Sequence, residues 1–200
     1  MLRWPLFGPA ERRYNRSVLH SFVQASFTED LQQKFAQPAS QYSPVPLSPL
    51  GLPWEALRPR RKLPLLGRPQ VSIRQKPELW ALYKTRYASL RLKVIVHFWN
   101  DKALIVSTVW QSSQKDYEQT LIEALEEKYG LDLQSPPSPL IADKNGALLL
   151  LDPHWQQLRF HYLRPNGLTF LHTLQAQRKS LAELKEASLR SKKASLKKII

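Results

Sequence analysis

Residues 90–110 read LRLKVIVHFWNDKALIVSTVW, and the fold turns on how this stretch is interpreted. Leu90, Leu92, Val94, Val96 and Phe98 recur at every second position, the period that puts side chains on one face of a strand. Arg91, Lys93, Ile95, His97 and Trp99 take the other face. Asn100, Asp101 and Lys102 break the run with turn formers, and ALIVSTVW returns over 103–110. A β-hairpin is therefore expected here.

Outward to the C-terminal side, residues 116–129 read as a helix. Asp116 suits its N-cap, and Gly130 suits the left-handed position just past its end. Tyr117, Leu121, Ala124, Leu125 and Tyr129 form its apolar stripe, with Glu126 and Glu127 on a solvated face. After the linker QSPPSP (134–139), residues 140–143 and 147–151 flank the Lys144-Asn145-Gly146 turn as a second hairpin. Asp152-Pro153 is expected to break that strand, and residues 158–163 form another before the turn at 164–167. On the N-terminal side, ELWALYKTRY (78–87) reads as a helix docked through Leu79, Trp80, Leu82 and Tyr83, with Pro77 at its first position. The expected fold is α+β: a small antiparallel sheet of two hairpins with one or two packed helices, a proline-rich basic N-terminal arm and a basic C-terminal helix.

Charge divides the chain the same way. Residues 1–90 carry fourteen Lys and Arg against five Asp and Glu, residues 91–167 eight against nine, and residues 168–200 eight against two. The net charge of +14 is thus carried by two arms around a neutral middle, a sorting that a uniformly basic surface would not show. We divide the chain accordingly into 1–37, 38–77, 78–167 and 168–200. Residues 1–37 are an amphipathic segment with Tyr14, Val18, Leu19, Phe22 and Val23 on one face. Its arginines Arg3, Arg12, Arg13 and Arg16 against the single early acid Glu11 fit either a mitochondrial targeting segment or a docking helix. Residues 38–77 hold nine of the sixteen prolines and form an extended basic arm. Residues 78–167 are the core. Residues 168–200 are helical, with Ala187-Ser188-Leu189 recurring as Ala194-Ser195-Leu196 two turns later.

Several chemistries are absent from the pattern. The chain has no cysteine, so disulfides, thiolate metal sites and cysteine nucleophiles are excluded. No two of the six glycines lie closer than sixteen residues apart, which leaves no phosphate-cradling loop. The five histidines, His20, His97, His154, His161 and His172, show no metal-ligand spacing, and no nucleophile elbow or Ser/His/Asp pattern stands out. The expectation is a protein that is not an enzyme and takes no cofactor or metal. The longest apolar run, 147–151, is far short of a membrane span.

Binding is the reading that remains. Arg58, Arg60, Arg61, Lys62, Arg68 and Arg74 crowd a segment whose prolines pre-extend the backbone, so they lose less freedom on meeting phosphate. Lys192, Lys193, Lys197 and Lys198 form a second cluster on the C-terminal helix. Both are expected to contact RNA phosphate, with little sequence preference, since the core strands offer no obvious exposed aromatic platform for bases beyond Trp99 and His97. A compact core with basic extensions resembles the architecture of ribosomal proteins, whose extensions thread along rRNA. That resemblance, with the targeting-like start, implies a mitochondrial ribosomal or ribosome-associated protein in the matrix, otherwise a cytoplasmic one. Its partners would be rRNA and neighbouring proteins. The rival expectations are a peripheral membrane or scaffold factor whose basic arms meet anionic lipid or a protein partner, and a small enzyme whose site residues a single sequence does not reveal.

Overall fold

The 90–110 stretch folds as the hairpin its alternation predicts, with Trp99 paired to Lys102 across a two-residue turn. Asn100 and Asp101 take positive φ of 49° and 60°, the type I′ geometry whose twist matches the strands. In this computed structural model, which describes residues 9–59, 62–63, 65–87, 90–111, 116–133, 140–154 and 157–197, the hairpin lies within a much larger sheet.

Among the described residues the chain runs α1 (Pro9–Val23), α2 (Ala25–Phe35), β1 (Gln41–Ser43), β2 (Val71–Gln75), β3 (Glu78–Tyr87), β4 (Leu90–Trp99) and β5 (Lys102–Gln111). It continues through α3 (Asp116–Tyr129), β6 (Leu140–Asp143), β7 (Leu148–His154), β8 (Gln157–Leu163) and α4 (Gly167–Lys197). Two compact units result, residues 1–167 and 168–200. The second holds α4 from Leu168 onward, and the 31 residues of that helix span about 46 Å. Leu181, Leu184 and Leu189 are exposed along it.

One eight-stranded sheet organises the first unit, in the order β1-β6-β7-β8-β5-β4-β3-β2. Every pair is antiparallel except β1 with β6. The expected small sheet of two hairpins with one or two helices is therefore wrong: the described residues hold a mixed sheet of eight strands and four α-helices. The error starts at β3. Leu79, Trp80, Leu82 and Tyr83 have helical spacing, yet they lie in a strand between β2 and β4. Trp80 and Leu82 are buried on one face, and Leu79, Ala81 and Tyr83 on the other. A strand covered on both faces loses its alternation, so periodicity no longer separates it from a helix. The break expected at Asp152-Pro153 is also absent, because β7 continues to His154. Pro153 is accommodated near the end of the β7–β8 ladder, where it pairs with Leu158.

Two layers cover the sheet. On one face α1 buries Leu19 and Phe22 against Trp80, Leu82, Ile95 and Val109, and Phe27 of α2 packs against the same cluster. On the other, Leu47, Leu57, Leu63 and Leu66 from the proline-rich segment join Tyr83, Val94, Phe98 and Phe160 in the main core, beside α3. That segment packs on the sheet: its prolines forbid a helix, while the leucines between them anchor it. The buried Asp143 carboxylate fastens it further, accepting backbone N–H groups of Leu47 at 2.7 Å, Asn145 at 2.8 Å and Ala147 at 3.0 Å. Among the described residues no helix is long and apolar enough to cross a membrane.

Candidate polyanion interface

The cations expected to meet phosphate are dispersed. Arg60, Arg61 and Lys198 lie outside the described residues. Lys192, Lys193 and Lys197 fall in the last turns of α4, within the second unit. Lys62 and Arg68 are exposed and flank the short loop closed by paired Leu63 and Gly67. Arg74 is on β2, with its Nη2 3.7 Å from Asp101 Oδ1.

Arg58 lines a cleft of about 550 Å³ at the β4–β5 turn, beside Trp54, Asn100, Asp101, Lys102 and Arg164. Its Nε donates to the Glu55 carbonyl at 3.2 Å, and the Trp54 indole N–H donates to the Leu47 carbonyl at 3.3 Å. Arg164 donates from Nη1 to the Ala103 carbonyl at 3.5 Å and from its backbone N–H to the Leu104 carbonyl at 3.1 Å. Through Asp101, the fold brings Arg58 and Arg74 to the same turn. His97 cannot read a base from there, being fully buried with its ring stacked 3.8 Å from Trp80 and its Nε2 2.9 Å from Glu78.

A second cationic group was not anticipated, and the sheet register creates it. Lys84 lies directly opposite Lys93, and Arg86 opposite Arg91, all on the face that α1 covers. Arg159 of β8 continues the Lys84–Lys93 row across Val109. The first turns of α1 lie over that row: Glu11 is 3.1 Å from Lys84, and the Tyr14 ring sits 5.4 Å from the Lys93 ammonium. Arg12, Arg13 and Arg16 are exposed on the same helix. Among the described residues no carboxylate is within ion-pair distance of Arg12, Arg13, Arg16, Arg86 or Arg91. Like charges directly opposite in a sheet repel and destabilise it, and an anion bound over them removes that repulsion. The signal was in the sequence, but reading 78–87 as a helix hid the register. Dividing the charge at residue 90 also cut the group in two.

The structure also aligns Ser107, His161 and Asp152, which sequence spacing did not reveal. Ser107 Oγ is 2.8 Å from His161 Nδ1, and His161 Nε2 is 3.6 Å from Asp152 Oδ2. Asp152 Oδ1 also receives Lys34 Nζ of α2 at 3.2 Å. The contact with His161 outweighs burial and, with Lys34, holds the Asp152 carboxyl well below its usual range. Burial lowers the His161 pKa against the pull of Asp152, which fits a neutral ring accepting from Ser107 and donating towards Asp152. With Ser107 at 1% exposure and His161 at 0%, no substrate reaches the hydroxyl. The trio serves to tie α2 to the sheet. Among the described residues no group of His, Asp and Glu is placed to hold a metal ion.

No family model, no curated protein and no solved structure matches the chain.

Proposed function

We propose that this protein is a structural RNA-binding component of a ribonucleoprotein particle, with the mitochondrial ribosome or a factor attached to it in the matrix as its setting. The observation that carries this reading is the corner formed by Arg86, Arg91, Lys93 and the α1 arginines Arg12, Arg13 and Arg16. Its cross-strand pair Arg86–Arg91 lowers the stability of the free protein, and a phosphate backbone offsets that loss. The contacts are electrostatic and track the backbone, which gives affinity without sequence preference. The dense arginines favour phosphate forks over single-point contacts.

Salt-titrated binding of a labelled single-stranded RNA to the full chain, with and without Arg86→Ala and Arg91→Ala, tests it. Log affinity should fall linearly with log salt, and the double variant should reduce the slope by about 1.4, or roughly 0.7 for each phosphate that is no longer neutralised. An unchanged slope would remove the corner from the interface. Vesicles containing phosphatidylserine form the parallel arm. Binding to them that RNA does not compete away favours the peripheral membrane reading.

A further inference from the structure

We infer that the cleft at the β4–β5 turn takes one unpaired nucleotide of the bound RNA, its base against Trp54 and its phosphate between Arg58 and Lys102. This rests on the RNA-binding reading above and adds a mode of recognition to it. A volume of about 550 Å³ is within the range that admits a small organic ligand. The wall is aromatic and held in place, because the Trp54 N–H is tied to the Leu47 carbonyl at 3.3 Å and the residue packs on the main core. Around it stand Arg58, Lys102 and Arg164, against the carboxylates of Glu55 and Asp101. Arg74, 3.7 Å from Asp101, offsets part of that negative charge. Asn100 and Asp101 are carried on the type I′ turn and line the same cleft, so an amide and a carboxylate are available to the edge of a base.

An aromatic wall beside cations, with hydrogen-bonding groups at its rim, suits a base that is free to leave its stack. A paired base offers neither its face nor its Watson–Crick edge, so a duplex is excluded from the cleft while it still meets the basic corner. The corner and the cleft lie at opposite ends of β4, ten residues long, or about 30 Å apart. Their contributions are therefore separable.

The test compares a 12-nucleotide single-stranded RNA with a blunt 12-base-pair RNA duplex, both binding the full chain at one salt concentration. Trp54→Ala should weaken the single strand about tenfold and leave the duplex within twofold. Trp54→Phe, which keeps a ring, should lose less. Arg58→Ala with Lys102→Ala touches no core side chain, and it should likewise weaken the single strand more than the duplex. It decides the matter if Trp54→Ala does not fold. Equal losses on both RNAs, or no loss on the single strand, overturn the inference while RNA binding itself stands. A wild-type chain that binds neither RNA overturns the functional reading, and the cleft assignment with it. Uridine monophosphate should compete only weakly. Competition by it as strong as by the oligonucleotide overturns the inference in favour of a free-nucleotide site.

Discussion

His161 shows how much one buried side chain commits. It is fully enclosed between Ser107, Asp152 and the Phe27 ring, whose centroid lies 5.8 Å away. Burial lowers its pKa in the folded protein, whereas in the unfolded chain it titrates near the ordinary value of about 6.5. Its contribution to stability is therefore complete above about pH 6.5 and declines as the pH falls, because only the unfolded chain takes up the proton. Asp152, also lowered, adds its loss only below about pH 4. Denaturant unfolding at pH 7.5 and pH 5.5 should show the wild type losing more stability than His161→Gln. Equal losses would mean that folding leaves the ring's affinity for a proton unchanged, and a smaller loss in the wild type would mean that the ring is already protonated in the fold. None of this was visible in the sequence, since Ser107, Asp152 and His161 are joined only by the pairing of β5, β7 and β8. Gly130 and the Asn100-Asp101 turn were visible, because a positive φ restricts residue type locally.

At the scale of elements, what could be read and what could not follow from how many faces of each element are covered. α3 occupies the residues its stripe and terminal signals specified, and the hairpin of β4 and β5 has the expected turn. β3, covered on both faces, carried a pattern that a helix shares. β1 and β2, three and five residues long, are too short for a periodic signal and are defined by their partners. The proline-rich segment had leucines at irregular spacing, which neither a helical nor a strand template detects. Yet Leu47, Leu57, Leu63 and Leu66 are buried in the main core. Leu57→Ala should therefore destabilise the protein by about 2–5 kcal/mol, measured by denaturant unfolding. A change below about 0.5 kcal/mol would show that the segment is an arm with no part in the core.

For the whole molecule, the sequence conveyed that the chain is basic, but not where the charge gathers. Charge summed along the chain runs in one dimension. The sheet folds residues 84–93 back on themselves and sets four cations in facing pairs. Of the cations read from sequence, Arg58 and Arg74 are brought to one turn, while those of α4 belong to a separate unit. The central claim is that the facing arginines are kept for an anionic partner at the expense of the fold. Arg91→Glu tests it most directly, because it sets a carboxylate opposite Arg86. Binding of single-stranded RNA and denaturant unfolding are measured on the same preparation. The predicted result is a protein more stable by about 0.5–1 kcal/mol whose RNA affinity falls about tenfold. RNA affinity that stays at the wild-type value, or falls only alongside a loss of stability, would contradict the claim.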